Sequence, residues 1–200
     1  MAKEIHLVTY PRCGSTYLSK LFNKSFQKHV YRKHPYGIKK MDFEDSKEDN
    51  YYNNAGTESF KKNNYVITVL RNPIDAVSSL CYMENFYNED INIDLKIKQY
   101  IEYYYCCFEY ILKIVDLVID FNDIDIHKYD ILEYVSNETN NKIINKNYMP
   151  EISDFPEQNF LKSSKITKDY EHIKEKVVNN DLYKCYEIYN KMMHSCKKFK

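Results

Sequence analysis

Apolar residues follow two patterns along the chain, short continuous runs and stripes with helical spacing. Continuous runs at residues 5–9 and 65–70 are typical of strands that are covered on both faces. Each run ends in a turn sequence, and a helical stripe then begins, near Ser15 after the first run and at Pro73 after the second. Each of these two segments therefore predicts a strand, a tight turn and a helix.

The rest of the chain continues the alternation of strands and helices. The sequence predicts a short strand at residues 29–34, a surface loop at 39–54, a long helix at 95–115, a strand at 117–121, and helical segments at 126–135 and within 169–193. Strands that alternate with helices favour parallel pairing through right-handed crossovers. We therefore expect an α/β fold, a three-layer sandwich with a central parallel sheet.

Length and charge narrow the class of protein. A chain of 200 residues, 44% of them hydrophobic, suits one compact domain over residues 1–200. Its 29 basic and 29 acidic side chains produce no overall positive field of the kind that attracts nucleic acid. The amino-terminal residues turn polar too early for a signal peptide, and no stretch approaches the ~20 apolar residues of a membrane span. We expect a cytoplasmic protein that binds neither nucleic acid nor a membrane.

The cysteines do not indicate a metal site. They lack the paired spacing of zinc ligands, and cytoplasmic thiols are normally reduced. We therefore expect most of them to be small buried apolar residues, and we find no convincing cluster of metal ligands. The six are Cys13, Cys81, Cys106, Cys107, Cys185 and Cys196.

The turn after the first predicted strand has the composition of an anion-binding loop. Gly14 is followed by two hydroxyl residues, Ser15 and Thr16, where the helix begins. Such a turn directs backbone N–H groups, two hydroxyls and the positive end of a helix dipole towards one phosphate group. Taken alone, the same residues also fit a simple helix cap. The loop of nucleotide kinases and ATPases does not fit, because its first glycine is missing and no lysine follows Gly14.

Two motifs give the chain a resemblance to sulfotransferases. The segment YPRCGSTYL, from Tyr10 to Leu18, is similar to the family's 5′-phosphosulfate loop, whose usual form is close to YPKSGTTWL. Arg12 replaces the usual lysine, as in tyrosylprotein sulfotransferases, and Cys13 replaces serine. Residues 71–79, RNPIDAVSS, resemble the family's 3′-phosphate motif RNPxDxxxS and directly follow the second predicted strand.

The resemblance implies a P-loop NTPase-like sulfotransferase fold. It also implies the co-substrate 3′-phosphoadenosine 5′-phosphosulfate (PAPS), the product 3′,5′-adenosine bisphosphate (PAP), and no metal. In the second motif, Arg71 would supply a forked, permanently charged donor and Ser79 a hydroxyl to one phosphate. By this resemblance the two motifs contribute the following nucleotide-binding residues: Arg12, Cys13, Gly14, Ser15, Thr16, Tyr17, Arg71 and Ser79.

Later segments resemble the family more weakly. Residues 116–124 are similar to a strand that usually reads VLVVRYEDL, and residues 160–170 resemble the family's closing segment. The RKGxxGxWK signature of the cytosolic members is absent. Lys162 and Lys165 are candidates to complete the PAPS site in its place, although a run of lysine and serine is more often solvated surface.

The catalytic candidates are Arg12 and His34. By resemblance Arg12 contacts the bridging oxygen of PAPS, while His34, in a segment that resembles the family's Lys-x-His-x-Pro region, removes the acceptor's proton. An unperturbed histidine pKa near neutrality suits a general base. The spacing of 22 residues from Arg12 is short for the cytosolic steroid and phenol enzymes and suits Golgi-type members, in which the base is glutamate. His29, Glu44 and Glu58 are weaker substitutes.

Other polar residues near these motifs have structural interpretations. We expect Asp75 to cap the helix or to pair within its first turn. A stripe of tyrosines at helical spacing is more often packing than the lining of an acceptor cleft. Its members are Tyr100, Tyr103, Tyr104 and Tyr105.

The predicted function is transfer of a sulfuryl group from PAPS to a hydroxyl or amine of a small-molecule, sugar or peptide acceptor. Two alternatives stay open. One is a P-loop kinase acting on a nucleotide or small molecule, which would need a lysine and Mg²⁺ ligands that the sequence does not offer. The other is a module that binds PAP or PAPS without transferring the sulfuryl group. Neither the acceptor nor the oligomeric state can be read from the sequence.

Overall fold

A four-stranded parallel sheet forms the centre of the protein. The computed structural model describes residues 2–33, 58–87, 91–148, 150 and 164–199. The strands are β1 (Glu4–Val8), β2 (Val30–Lys33), β3 (Asn64–Leu70) and β4 (Leu117–Asp120). Their order in the sheet is β2-β1-β3-β4, and all three pairings are parallel. The predicted central parallel sheet is confirmed.

Helices cover this sheet. They are α1 (Ser15–Ser25), α2 (Glu58–Asn63), α3 (Pro73–Tyr87), α4 (Ile93–Ile111), α5 (Lys128–Thr139), α6 (Ser164–Val178) and α7 (Tyr183–Ser195). Helix α1 packs on β1 and β2, whereas α3 contacts α4 and α6, and α4 contacts α7. Within the described ranges, no helix combines the length and the apolar content that crossing a bilayer requires.

The chain changes direction across the sheet between β1 and β3. From β1 it moves outward to β2, and from β3 it moves outward the opposite way to β4. Right-handed crossovers then place the connecting helices on opposite faces, as expected for a three-layer α/β sandwich. In open α/β sheets the usual ligand position is the crevice outside the carboxyl ends of the strands at such a point, which here are the ends of β1 and β3.

Side-chain contacts join the two central strands, in addition to the backbone hydrogen bonds of the sheet. Ile5 pairs with Tyr65 in the register, and apolar side chains of both strands are buried. Just past β1, the buried hydroxyl of Thr9 donates a 2.8 Å hydrogen bond to the carbonyl of Val69. This bond fixes the start of the loop that follows β1 against the end of β3.

Several predicted boundaries shift because side chains cap the backbone. The long helix begins at Ile93, since the side chain of Asn92 accepts from the N–H of Leu95 at 3.1 Å. The last strand stops at Asp120, whose carboxylate accepts from Asn122 at 2.8 Å and starts a short 3-10 turn at Phe121–Asp123. The segment 169–193 is two helices, α6 and α7, separated by turn residues. The predicted loop at 39–54 lies outside the described residues.

The bond between β1 and β3 can be tested with two buried threonines. Thr9→Val removes the donor to the Val69 carbonyl, so we expect the free energy of unfolding to fall by about 1–2 kcal/mol. Thr68 is a matched control, because its buried hydroxyl has no hydrogen-bond partner among the described residues. Thr68→Val should be neutral or stabilising. Urea unfolding measures both, and equal effects of the two substitutions would contradict the role of Thr9.

Candidate functional site

The loop at residues 9–14 is anchored on the core and then twists sharply into α1. Tyr10 is fully buried, and its hydroxyl donates to the carbonyl of Tyr100 at 3.3 Å. Arg12 and Gly14 both have left-handed backbones, with φ of 65° and 83°. Gly14 caps α1 without a side-chain hydrogen bond. The positive end of the helix dipole and the N–H groups of its first turn therefore face the carboxyl edge of the sheet without a capping side chain.

Glycine is required at position 14 by the close packing around it as well as by its left-handed backbone. A Cβ at this position would lie 3.0 Å from Cδ1 of Ile124 and 3.2 Å from the ring of Phe121. These two residues belong to the turn after β4, which packs directly under the loop. The loop is therefore pressed between the ends of β1 and β4, and a side chain on Gly14 would push it outward.

Arg71 brings the second motif into contact with this loop. It follows the last residue of β3, and its Nη1 donates to the carbonyl of Arg12 at 2.9 Å. Its guanidinium carbon lies 4.4 Å from the centre of the Phe121 ring, a cation–π distance. The Arg71 carbonyl accepts from the buried hydroxyl of Tyr104 at 2.7 Å. The strand end and the guanidinium group are thus both held in place.

One hydrogen-bond donor of the Arg71 side chain is unused. Its Nε is buried and has no hydrogen-bond partner within the described part of the chain. No carboxylate in that part pairs with Arg71 or with Arg32. A buried guanidinium donor without a partner is costly and is satisfied by an anion. The site is therefore electrostatically suited to a phosphate or sulfate group.

Arg12 and Ser79, predicted to act in one site, are neighbours. Nε of Arg12 lies 3.4 Å from the hydroxyl of Ser79 on α3, a long hydrogen bond. Both side chains are partly exposed. Three of the polar residues predicted from the two motifs, Arg12, Arg71 and Ser79, therefore converge at one edge of the sheet.

The residues of the first turn of α1 differ in their surroundings. Ser15 is buried, and the Thr16 hydroxyl accepts a hydrogen bond from Nη1 of Arg32 at the end of β2. Tyr17 is partly exposed, and burial together with the neighbouring carboxylate of Asp125 raises its pKa. Thr16 is thus the hydroxyl of this turn that lies next to a cation.

Cys13 lies in the predicted loop, but its thiol faces the core. The residue is fully buried, and desolvation raises its pKa to about 12. The thiol is therefore neutral at physiological pH and is not a nucleophile. Any contact between Cys13 and a nucleotide would have to come from its backbone.

The sequence predicts that Asp75 caps its helix or pairs within its first turn, but the structure shows a contact with another helix. Its carboxylate forms a 2.8 Å ion pair with Lys174 on α6, a residue far away in sequence. The hydrogen bond to Asp75 raises the pKa of Lys174. The pair joins α3 to α6 on the surface of the helical layer, a tertiary contact that the local sequence pattern does not indicate.

The tyrosine stripe on α4 is mainly packing. Tyr100 and Tyr104 are buried, and the ring centres of Tyr10 and Tyr104 are 5.2 Å apart. Tyr103 packs against Tyr10 at 5.0 Å, whereas the Tyr105 hydroxyl donates to Glu109 at 3.0 Å on the surface. The packing role predicted for the stripe is confirmed for Tyr100, Tyr103 and Tyr104.

For three of the predicted site residues the structure describes no side chain. His34 and Lys162 lie outside the described residues, and for Lys165 only the backbone, in α6, is described. Conversely, sequence reasoning missed Phe121 and Arg32. Both carried a signal, since Phe121 directly follows the last strand at the carboxyl edge and Arg32 is a cation within the predicted edge strand.

Comparisons with known proteins give one distant likeness. No family model and no curated protein matches the chain. Among solved structures, the chain is similar to the crystal structure of a sulfotransferase from Alicyclobacillus acidocaldarius. The sequences are 13% identical, the alignment covers 95% of this chain and 96% of that chain, and the TM-score is 0.42. So distant a likeness does not define the chemistry of this chain, which depends on its own side chains.

The tight fit around Gly14 predicts a measurable coupling with Ile124. We expect Gly14→Ala to lower the free energy of unfolding by roughly 1–3 kcal/mol, because alanine must adopt a left-handed backbone and meets the Ile124 side chain. In an Ile124→Ala background the clash is relieved, so the cost of Gly14→Ala should be smaller. Urea unfolding of the four proteins measures this coupling. Additive effects would contradict the contact.

Proposed function

We propose that this protein is a sulfotransferase that moves a sulfuryl group from PAPS to a hydroxyl or amine acceptor and releases PAP. The observation that carries the proposal is the hydrogen bond between the Arg71 guanidinium and the Arg12 carbonyl. It puts the two motifs that resemble the 5′-phosphosulfate loop and the 3′-phosphate motif side by side in one crevice. A nucleotide with phosphates at both positions would use both.

The residues around the crevice fit the two phosphate groups of the donor. We assign the 5′-phosphate to the first-turn N–H groups of α1 with the hydroxyls of Ser15 and Thr16, where the helix dipole favours an anion. We assign the 3′-phosphate to Arg71 and Ser79. The buried Nε of Arg71, which has no partner among the described residues, supports this assignment because a phosphate oxygen would satisfy it.

Sulfuryl transfer requires that the donor and acceptor are positioned and that the charge on the leaving oxygen is neutralised. The bond between sulfur and the bridging oxygen of the 5′-phosphate breaks, and a new bond forms between sulfur and the acceptor oxygen or nitrogen. The acceptor's proton passes to a general base, for which His34 remains the predicted candidate. In the proposal Arg12 neutralises the charge that develops on the departing phosphate oxygen, as cationic side chains do in phosphoryl transfer.

The two alternatives lack a comparable supporting observation. A P-loop kinase would place a lysine after Gly14 to contact the transferred phosphate, and Ser15 stands there. A module that binds PAPS without transferring the sulfuryl group would share the donor site. It differs from an enzyme only in turnover.

The donor site can be tested without knowing the acceptor, by comparing PAP with ATP. At a PAP concentration of ~100 times its Kd, binding should stabilise the fold by about 2.7 kcal/mol and raise Tm by roughly 5–10 °C. ATP lacks the 3′-phosphate, so its shift should be much smaller. Arg71→Ala should remove most of the difference, because a charge-assisted contact of ~1.5–3 kcal/mol is lost. Differential scanning fluorimetry measures the shifts.

The same measurement separates the competing functions. Lys98→Ala is a suitable control variant, because Lys98 is an exposed lysine on α4 that belongs to neither motif, and it should keep the full PAP shift. Greater stabilisation by ATP with Mg²⁺ than by PAP would favour the kinase and remove Arg71 from the 3′-phosphate site.

A further inference from the structure

Phe121 is an aromatic residue at the edge of the sheet where the two motifs meet. It begins the short 3-10 turn after β4, and the 2.8 Å hydrogen bond from the N–H of Asn122 to the Asp120 carboxylate holds this turn. The Phe121 side chain is partly buried and packs against the core. The position of its ring is therefore set by β4, a strand that belongs to neither motif.

The Phe121 ring lies against both motifs. Its centre is 4.4 Å from the guanidinium carbon of Arg71, and two of its carbons would lie 3.2 Å from a Cβ on Gly14. The Arg71 guanidinium also donates to the carbonyl of Arg12, in the same loop as Gly14. Because one ring packs against the loop after β1 and against the arginine after β3, it sets the separation between them.

An aromatic ring holds an arginine in a different way from a carboxylate. A carboxylate accepts hydrogen bonds from the guanidinium group and neutralises its charge, whereas a ring attracts the cation without accepting from the donors in the guanidinium plane. In the part of the chain that the structure describes, no carboxylate pairs with Arg71, and its buried Nε has no hydrogen-bond partner. Asp75, the acidic residue closest to Arg71 in sequence, is paired with Lys174 instead. Phe121 therefore restrains the arginine and leaves its charge and its Nε available to an anion.

We propose that Phe121 is the positioning residue that makes the site selective for a nucleotide with phosphates at the 3′ and 5′ positions. The inference rests on the proposed function, in which the 5′-phosphate lies at the first turn of α1 and the 3′-phosphate at Arg71. Phe121 acts through Arg71 rather than on the nucleotide. With the guanidinium group restrained, its donors meet a phosphate at one distance from the loop, and a phosphate on the neighbouring 2′ oxygen is out of position.

This selectivity can be measured with two isomers that carry the same phosphate groups. PAP and adenosine 2′,5′-bisphosphate differ only in the position of one phosphate, so effects of overall charge cancel in the ratio of their Kd values. Isothermal titration calorimetry of the full chain gives both values, and we expect the wild type to prefer PAP. Phe121→Leu should lower this preference by roughly 3–30-fold, the factor that corresponds to one lost cation–π contact, because the released guanidinium group can follow the phosphate to either position.

Three further variants separate the ring from general packing. Phe121→Tyr keeps an aromatic ring and should retain the preference for PAP. Phe26→Leu is the matched control, because Phe26 is a buried phenylalanine just past the end of α1 that is opposite to the loop. It should lower Tm and leave the preference unchanged. Phe121→Met is a second substitution without a ring, for use if circular dichroism shows that Phe121→Leu does not fold.

A double-mutant cycle shows whether Phe121 acts through Arg71. In the Arg71→Ala background the ring has no guanidinium group to hold, so Phe121→Leu should not lower the preference further. An effect of packing alone would be independent of Arg71. The proposal would be overturned by an unchanged preference in the variants without a ring, by an equal loss in Phe26→Leu, or by a full effect of Phe121→Leu in the Arg71→Ala background.

Inorganic sulfate distinguishes a failure of this inference from a failure of the proposed function. If Phe121→Leu leaves a normal wild-type preference for PAP unchanged, only the role of Phe121 is rejected. If the wild type does not prefer PAP, the proposed donor is rejected, and the Tm shift caused by sodium sulfate, against sodium chloride of equal ionic strength, tests the ring on a free anion. A sulfate shift that is lost in Arg71→Ala and reduced in Phe121→Leu leaves Phe121 as the residue that positions Arg71. A sulfate shift that is absent, or unchanged in Phe121→Leu, rejects that role.

Discussion

The hydrogen bond from the Arg71 guanidinium to the Arg12 carbonyl is the contact on which the candidate site depends. It can form because β1 and β3 are neighbours with their carboxyl ends on one side, at the point where the chain reverses its direction across the sheet. Tyr104 fixes the carbonyl of Arg71, and the Phe121 ring supports its guanidinium group. Two loops that are distant in sequence therefore meet at one edge of the sheet.

The loop after β1 has a strained backbone, and buried contacts hold the loop in place. Arg12 adopts a left-handed backbone, which costs a residue with a Cβ about 1–3 kcal/mol. Thr9 and Tyr10 secure the loop on its strand side, and the buried side chain of Cys13 fills the core beneath it. The twist directs the first turn of α1 and the Arg12 side chain outward. The stability of the fold and the geometry of the candidate site thus depend on the same few residues.

The features that could be predicted from the sequence are those that a local pattern of residues determines. Continuous apolar runs located β1 and β3, and the turns that follow them located the two loops, because those signals lie within a few residues. The contacts of Phe121 with Arg71 and of Arg32 with Thr16 could not be read in this way, since they join segments that only the sheet order brings together. The partner of Asp75 was missed for the same reason. The break between α6 and α7 was hidden by a helical pattern that continues on both sides.

Sulfuryl transfer is tested most directly by following labelled sulfur from donor to acceptor. The protein is incubated with ³⁴S-labelled PAPS and a library of hydroxyl and amine acceptors, and products are read by mass spectrometry. We expect labelled product with an equal amount of PAP, and turnover that falls ~10²–10⁴-fold in His34→Ala while PAP still binds. Arg12→Ala should lose turnover through weaker transition-state stabilisation. PAP binding without labelled product from any acceptor would contradict transfer and leave a nucleotide-binding module.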